Sequence, residues 1–167
     1  MPHLRDQRSG HIIQISSIGG VLSGPMTGVY SASKFALEGM SEALAQEAAH
    51  FGVKLTIVEP GGYWTNLYVN MNISQPLDVY NPLREELAQQ QSGGSVDSDP
   101  RLAAEAILKL VNSENPPLRL ILGSFVYDIA IQTVKDRIAV WEQWEEVSRE
   151  AEKAIPAPVG LFGDSDI

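Results

Sequence analysis

Two short β-branched runs, HIIQISS at 11–17 and VKLTIVE at 53–59, enclose one long segment with the period of a helix. Each run has the length of a strand, and each is followed closely by glycine, in the second case after Pro60. Between them, residues 29–51 place apolar side chains three or four positions apart, and Gly52 stands where a helix would end. The pattern predicts a strand–helix–strand unit with two parallel strands and a right-handed crossover.

The remaining sequence continues this alternation. It predicts four further elements: a helix at 82–91, a helix at 99–112, a strand at 118–122 and a helix at 125–152. Residues 63–80 have no clean period and predict an irregular, lid-like loop, and residues 91–99 predict a flexible break. The order predicts one α/β domain over 1–154, with a parallel sheet covered by helices on both faces. We expect residues 155–167 to form a flexible tail.

Composition excludes several classes of function. The 167-residue chain has no cysteine, so it has no disulfide, no cysteine-ligated zinc site and no thiol nucleophile. Its histidines, at positions 3, 11 and 50, match no metal-ligand spacing. The formal net charge of -9 gives no electrostatic footprint for nucleic acid or an anionic membrane. No apolar run approaches the roughly 20 residues of a membrane span, and the N-terminus lacks a signal-peptide stretch, so we predict a cytoplasmic protein.

Tyr30 and Lys34 form a pair of chemically useful residues in the segment YSASK. A spacing of four places both side chains on one face of the predicted helix, one turn apart. An ammonium group beside a phenol favours the phenolate, which can act as a base. The pair alone is a weak signal, because such spacings arise by chance in chains of this length.

The neighbouring segments strengthen this signal. Ser17 ends the first predicted strand, thirteen residues before Tyr30, and the second strand ends in the glycine loop EPGGYWT. Open α/β sheets bind ligands at the carboxyl ends of their strands. We therefore expect a hydroxyl, a Tyr/Lys pair and a glycine loop with Thr65 to meet in one crevice. Alternation along the strand directs Ser16 to the other face.

The segments GHIIQISSIGG, YSASKFALEGMSEALAQE and VEPGGYWT, in this order and spacing, resemble the catalytic core of the short-chain dehydrogenase/reductase family. The resemblance is close over residues 10–66 and looser beyond them. It implies the C-terminal part of a Rossmann-like, doubly wound parallel sheet, with about three strands plus helices. It also implies a nicotinamide cofactor, NAD or NADP, and hydride transfer to or from an alcohol or carbonyl substrate.

The resemblance assigns a role to each matching residue. It implies that Tyr30 is the general acid/base, that Lys34 holds the nicotinamide ribose hydroxyls and favours the phenolate, and that Ser17 hydrogen-bonds the substrate oxygen. The loop after the second strand would border the nicotinamide of the cofactor. The residues implied there are Pro60, Gly61, Tyr63 (through its backbone) and Thr65.

Other parts of the family pattern do not occur in this sequence. Family members open with a strand, a glycine-rich turn and a helix that cradle the cofactor pyrophosphate. No G-x-G-x-x-G is present here, and the family's active-site Asn has no counterpart. We therefore expect the N-terminal dinucleotide-binding strands to be absent and the first strand to have an unpaired edge. The chain alone is then not expected to bind NAD(H) or NADP(H) with useful affinity.

Two functional hypotheses stay open at this point. The chain is either an NAD(P)-dependent oxidoreductase or a truncated, inactive piece that persists as an interaction module. Epimerisation or dehydration is disfavoured by the YSASK context, and a serine hydrolase by the lack of a His–acid pair near Ser17. For an intact enzyme we expect a small alcohol or ketone substrate and a homodimer or homotetramer. The resemblance implies that the long helix pairs across a two-fold axis, and apolar residues on several of its sides suit such pairing: Phe35, Leu37, Met40, Leu44 and Phe51.

Overall fold

The computed structural model describes residues 1–71, 74–90 and 97–153. They fall into two compact units, Met1–Ile131 and a second that begins at Gln132. The strands are β1 (Gly10–Ile15), β2 (Val53–Pro60) and β3 (Arg119–Leu122). The α-helices are α1 (Pro2–Gln7), α2 (Gly28–Ala49), α3 (Leu67–Asn70), α4 (Asn81–Gln90), α5 (Pro100–Val111), α6 (Ser124–Gln143) and α7 (Glu145–Glu150). Short 3₁₀ helices cover Ile18–Gly20 and Asp78–Tyr80.

The three strands form one parallel sheet in the order β1–β2–β3. All of β1 pairs with β2, with Ile15 opposite Val58. Strand β3 pairs with the carboxyl half of β2, with Arg119 opposite Ile57. The predicted α/β fold with a three-stranded parallel sheet is therefore confirmed. Among the described residues β1 pairs on one side only, and Ile15 at its end is half exposed.

Strand residues alternate between two faces of this sheet. The face that we call the α2 face is covered by α2 and carries Leu55, Ile57, Glu59 and Arg119. The opposite face, which we call the α5 face, packs against Leu110 of α5 and carries Thr56, Val58, Leu120 and Leu122. The two faces differ in chemistry, since the α2 face buries charged groups and the α5 face is mainly apolar.

Helix α2 begins one residue before its predicted start and ends two residues before its predicted end. Its buried residues are small or polar: Ser31, Glu38, Ser41 and Ala48. Met40, which belongs to the apolar period that predicts the helix, is 54% exposed. The apolar residues thus indicate a helix correctly, and Ala48 of that period is fully buried, but most of the residues that α2 buries are polar.

The two residues Phe51 and Gly52, after α2, lie against Arg5 and Arg8 at the end of α1. Gly52 has φ +68, and a Cβ there would lie 2.7 Å from the Arg8 carbonyl oxygen, so only glycine fits without strain. The guanidinium groups of Arg5 and Arg8 lie 5.9 and 5.6 Å from the centre of the Phe51 ring. No sequence pattern predicts α1, because a helix of six residues is too short to show an apolar period.

The α5 face holds the apolar core of the first unit. Its buried cluster consists of Val58, Leu110 and Leu122, and five partly buried side chains pack against it: Ile13, Tyr63, Ala103, Ala106 and Leu120. Helix α5 begins as predicted, since Asp99 accepts a hydrogen bond from the Arg101 N–H at 2.9 Å and Pro100 follows it. This cap fixes the residue at which α5 begins.

The segment predicted as an irregular lid contains two short helical turns, α3 and the 3₁₀ helix at Asp78–Tyr80. The helix predicted at 82–91 is confirmed as α4. Most of the predicted break at 91–99 lies outside the described residues. Within its described part, Ser98 forms an isolated bridge with Tyr63.

The second unit contains the end of α6 and α7. The prediction of a single helix over 125–152 was wrong, because α6 ends at Gln143 and α7 begins after Trp144. Side-chain bonds between Gln132 and Asp136 and between Arg149 and Glu145 link successive turns. No helix among the described residues is long and apolar enough to cross a membrane. The predicted tail at 155–167 lies outside the described residues, and the single domain over 1–154 stays a prediction.

Candidate active site

A tight turn of residues 16–20 follows β1 at the carboxyl edge of the sheet. Ser17, buried in this turn, begins the 3₁₀ helix Ile18–Gly20. Its Oγ accepts a hydrogen bond from the Gly19 N–H at 3.1 Å, and its carbonyl oxygen accepts one from the Gly20 N–H at 2.9 Å. These bonds satisfy amide groups at the start of the short helix and fix the position of the Ser17 hydroxyl.

Gly19 lies where Ser17 and Tyr30 approach each other. A Cβ at Gly19 would stand 2.8 Å from Cε1 of Tyr30 and 3.6 Å from Oγ of Ser17. The first distance is too short for a real carbon–carbon contact, so any side chain at this position would displace the Tyr30 ring. The Tyr30 side chain is 51% exposed, which leaves it accessible to a substrate.

Lys34 lies one turn of α2 beyond Tyr30. Its Nζ is 5.9 Å from the centre of the Tyr30 ring. The same ammonium group donates a hydrogen bond to the carbonyl oxygen of Ile15 at 3.2 Å, at the end of β1. An ammonium group has three donors, so this bond leaves capacity for hydroxyl groups of a ligand.

The glycine loop after β2 forms backbone hydrogen bonds with two neighbouring segments, at Leu122 and at Ser98. The Gly61 N–H donates to the Leu122 carbonyl oxygen at 3.0 Å, and a Cβ at Gly61 would lie 2.9 Å from the Val126 side chain of α6. The Ser98 N–H donates to the Gly62 carbonyl oxygen at 3.1 Å, and the Trp64 N–H donates to the Ser98 carbonyl oxygen at 3.0 Å. Close packing against Val126 thus explains why the loop EPGGYWT has a glycine at position 61.

The side chains of Tyr63 and Thr65, both in this loop, lie in different surroundings. The Tyr63 side chain packs against the core of the α5 face, and burial raises the pKa of Tyr63. The backbone bridge between Tyr63 and Ser98 is formed by hydrogen bonds from Ser98 to Gly62 and from Trp64 to Ser98, where Gly62 and Trp64 are the two residues that flank Tyr63. Thr65 is exposed, and its Oγ1 accepts a hydrogen bond from the Leu67 N–H at 3.2 Å.

Four charged residues form a network under the 16–20 turn, which we call the Arg119 cluster: Glu38, Glu42, Glu59 and Arg119. Glu38 accepts a hydrogen bond from the Ser16 hydroxyl at 2.6 Å through Oε1, and it pairs with Arg119 at 2.6 Å through Oε2. Arg119 also pairs with the buried Glu59, and with the half-exposed Glu42 at 2.9 Å. One guanidinium therefore joins α2, β2 and β3.

The Arg119 cluster holds three carboxylates against one guanidinium. Burial raises the pKa of Glu59, and the hydrogen bond from Arg119 opposes this shift only in part. Burial by itself would lower the pKa of Arg119, but its hydrogen bonds to Glu38, Glu42 and Glu59 outweigh burial and raise that pKa. Arg119 consequently stays charged.

Comparison with known proteins assigns the chain to a family. Residues 1–76 match the family model described as short chain dehydrogenase. Over 152 residues the chain is 37% identical to the oxidoreductase BOA17 of Botryotinia fuckeliana, an alignment that covers 89% of this chain and 55% of that protein. The chain belongs to the short-chain dehydrogenase/reductase family. It spans about half the length of the curated relatives it matches.

Solved structures of short-chain dehydrogenase/reductase proteins share its fold. The crystal structure of a short-chain dehydrogenase from Streptomyces avermitilis superimposes with a TM-score of 0.77 at 39% identity, over 91% of this chain and 56% of that one. A short-chain dehydrogenase from Burkholderia cenocepacia, solved in complex with NADP, gives a TM-score of 0.61 at 24% identity over 85% of this chain and 49% of that one. At this identity the second likeness shows the fold alone.

The structure places the predicted site residues of this short-chain dehydrogenase/reductase in two groups. Ser17, Tyr30 and Lys34 come together at the carboxyl end of β1. Pro60 and Gly61 lie at the carboxyl end of β2, which is the same edge of the sheet because the strands are parallel. The roles predicted for these residues, and for Tyr63 and Thr65, stay predictions.

Sequence reasoning missed the Arg119 cluster beneath the site. One signal was present, since Glu38 follows Tyr30 by eight and Lys34 by four positions, and so shares their side of α2. Glu38 was not recognised because glutamate is common on helix surfaces. Arg119 was equally inconspicuous at the start of a short apolar strand.

A groove of about 770 Å³ lies at the opposite edge of the sheet, beside the amino end of β2. Residues of α2, β2 and the segment before β3 line it, including Ala45, Lys54 and Leu118. None of the predicted site residues lines this groove. Its volume therefore does not bear on the chemistry at the carboxyl edge.

Proposed function

We propose that the chain carries the proton-transfer site of an NAD(P)-dependent oxidoreductase, which moves hydride between a nicotinamide cofactor and an alcohol or carbonyl substrate. The observation that carries this proposal is the meeting of Ser17, Tyr30 and Lys34 at the carboxyl end of β1. Family membership supports it.

The three side chains have separate tasks in the proposed reaction. In alcohol oxidation, Tyr30 as phenolate takes the hydroxyl proton of the substrate at Oη, and in carbonyl reduction the phenol returns a proton to the substrate oxygen. The Lys34 ammonium places a positive charge 5.9 Å from the centre of the Tyr30 ring. The Ser17 hydroxyl hydrogen-bonds the substrate oxygen as negative charge develops on it. When bound, the cofactor accepts or supplies the hydride.

The residues present suit the nicotinamide end of such a cofactor. Lys34 retains donor capacity beside Tyr30, which fits a pair of ribose hydroxyls. The residues that would border the nicotinamide ring are Pro60, Gly61, the backbone of Tyr63, and Thr65. The choice between NAD and NADP depends on the adenosine end, which these residues would not touch.

Association of copies is also proposed for the whole protein. Several apolar residues on the outer side of α2 are exposed, including Val29 at 90%, Phe35 at 41% and Met40 at 54%. Apolar groups on a helix surface favour contact with a second copy, as in a homodimer or homotetramer. The cytoplasmic location predicted from the sequence stays a prediction.

The proposed function is tested by assaying NADPH and NADH oxidation with a panel of aldehydes and ketones, on the longest product of the reading frame that contains this chain. Tyr30→Phe should abolish turnover and leave cofactor affinity nearly unchanged, whereas Lys34→Ala should damage both. Tyr127→Phe is the matched control, because Tyr127 is equally exposed and lies on α6. Substantial turnover by the Tyr30→Phe protein would refute the proposal.

A separate measurement addresses the 167-residue chain by itself. Most contacts that hold a dinucleotide are made to its pyrophosphate and adenosine by a glycine-rich turn, and this sequence has no such motif. We expect titration with NADPH or NADH, followed by nicotinamide fluorescence or calorimetry, to show no saturation in the micromolar range. Saturable micromolar binding would show that the chain holds the cofactor without that turn.

A further inference from the structure

The 16–20 turn has two sides that contact different parts of α2. On one side, Ser17 and Gly19 approach Tyr30. On the other side, the Ser16 hydroxyl donates to Glu38, and a Cβ at Gly20 would collide with the Glu38 carboxylate and stand 2.8 Å from the Ser16 hydroxyl. The Glu38 carboxylate therefore lies directly beneath the turn and touches both of its ends.

Glu38 is itself held from outside α2. It is 3% exposed, and Arg119 of β3 donates to its second carboxylate oxygen at 2.6 Å. The same guanidinium is anchored by Glu59 of β2, which is also buried. With one oxygen on Ser16 and the other on Arg119, the carboxylate cannot rotate without losing a hydrogen bond in a buried site.

Three successive turns of α2 contact the end of β1 and the turn that follows it. Tyr30 meets Gly19, Lys34 bonds the Ile15 carbonyl oxygen, and Glu38 bonds the Ser16 hydroxyl. Four residues of an α-helix extend about 6 Å along its axis, so the three contacts are spread over about 12 Å of α2. Of the three, only the Glu38 contact is fully buried, and it is the one tied to the sheet through an ion pair.

We propose that Glu38, held by Arg119, is a positioning residue that sets the placement of Ser17 relative to Tyr30. It acts through Ser16 and Gly20, which share the turn with Ser17, and it does not touch the reacting groups. This inference rests on the proposed function, because the placement matters for turnover only if Ser17 and Tyr30 act on one substrate oxygen. Displacing a reacting group by about 1 Å can lower a rate by about 100-fold.

The chain offers a matched control at Glu42. Glu38 and Glu42 are both glutamates of α2 and both pair with Arg119, but only Glu38 contacts the turn. Comparing Glu38→Ala with Glu42→Ala separates loss of the turn contact from loss of a charge beside Arg119. Ser16→Ala removes the contact and leaves all four charges in place, which covers the case in which Glu38→Ala does not fold. Glu38→Gln keeps one acceptor, for Ser16, but has no second acceptor for Arg119, so it is the variant that retains the turn contact without the ion pair.

The first readout is structural and does not depend on turnover. By NMR, we expect Ser16→Ala and Glu38→Ala to weaken the Gly19 Hα to Tyr30 ring cross-peak. We also expect these variants to exchange the Gly19 amide at least about 10-fold faster while the β1–β2 amides keep their protection. Glu38→Gln should restore most of the cross-peak, and Glu42→Ala should leave it unchanged. An unchanged cross-peak and exchange rate in Ser16→Ala, or an equal loss in Glu42→Ala, would overturn the proposal.

The second readout is kinetic and uses the longest product of the reading frame. We expect Ser16→Ala and Glu38→Ala to lower kcat by about 10- to 100-fold with less than a two-fold change in KM for the cofactor. A change confined to stability, with kcat intact in the folded variants, would overturn the positioning role. Absence of turnover in the unmodified protein would instead refute the proposed function, and the NMR comparison would still decide whether Glu38 places Ser17 against Tyr30.

Discussion

The two faces of the sheet differ in the interactions that hold them together. On the α5 face, Val58, Leu110 and Leu122 form an apolar cluster. On the α2 face, the buried residues under the helix include Glu38 and Glu59, joined by hydrogen bonds to Arg119. The α5 face thus buries mainly apolar groups, whereas the α2 face buries charged groups beside the apolar Leu55 and Ile57.

The difference indicates that one face contributes mainly to the stability of the fold and the other mainly to the geometry of the site. Apolar burial is favourable at roughly 25 cal/mol per Å² but has no direction, so it tolerates small shifts. A buried ion pair contributes little net stability, because desolvation offsets the attraction, yet its hydrogen bonds fix distances and angles. We therefore expect the α5 face to supply most of the stability and the α2 face to supply the geometry of Ser17 and Tyr30.

The largest expected effect is that of Arg119→Met. The change leaves Glu38 and Glu59 buried without a cation, which costs about 3–5 kcal/mol in the free energy of unfolding. Burial already raises the pKa of Glu59, and a raised folded-state pKa makes stability fall as the pH rises through it. The loss measured by urea denaturation should consequently be greater at pH 8 than at pH 5.

A triple variant provides the control for this prediction. In Arg119→Met combined with Glu38→Gln and Glu59→Gln the buried charges are gone, so most of the lost stability should return. Were Arg119→Met alone to cost less than about 1 kcal/mol, the Arg119 cluster would not be electrostatically coupled.

Leu110→Ala probes the α5 face. Removing this buried side chain should cost about 2–3 kcal/mol through lost burial and the cavity left behind. In contrast to Glu38→Ala, it should leave the Gly19–Tyr30 cross-peak unchanged in the folded protein. Loss of that cross-peak in Leu110→Ala would contradict the separation of the two faces.

A smaller effect is expected at His11, a polar exception on the α5 face. Burial and the neighbouring Lys54 lower the pKa of His11, and its Nε2 lies 2.9 Å from the Thr56 hydroxyl. A lowered folded-state pKa means that stability is present above the ordinary value and is lost as the pH falls below about 6.5. Denaturation at pH 7.5 and 5.5 should show this loss, and His11→Gln should reduce it. A His11→Gln protein with the same pH dependence would rule out this group as its source.

The smallest effect is expected at Ser41, on the α2 face. Its hydroxyl is fully buried, and no hydrogen-bond partner is present for it among the described residues. Ser41→Ala removes an unsatisfied polar atom, so it should be neutral or stabilising, within about 1 kcal/mol, by thermal denaturation. A loss of 2 kcal/mol or more would indicate that Ser41 belongs to the hydrogen-bonded network after all.

Sequence patterns predict the helices and strands of this molecule better than they predict the charged contacts buried on its α2 face. The strands, α2 and the capped start of α5 at Asp99 follow from local signals of period and capping. The meeting of Ser17 with Tyr30 and Lys34 follows from strand polarity and helix spacing. The partnership of Glu38 with Arg119 could not be predicted, because it depends on the register between β2 and β3, which no local pattern specifies. The break at Trp144 was missed because its neighbours all favour helix.

The span of chain that Arg119 bridges also bears on the order of folding. Arg119 binds Glu38 across 81 positions and Glu59 across 60, whereas the contacts within α2 are local. Closing such long loops costs entropy that local contacts do not, so α2 and its pairing with β1 and β2 should form before β3 docks. Arg119 should then have a φ-value near zero and Ala48, buried in α2, a higher one. The unit of β1, α2 and β2 would form first, and the fit between its reacting groups would be among the last features acquired.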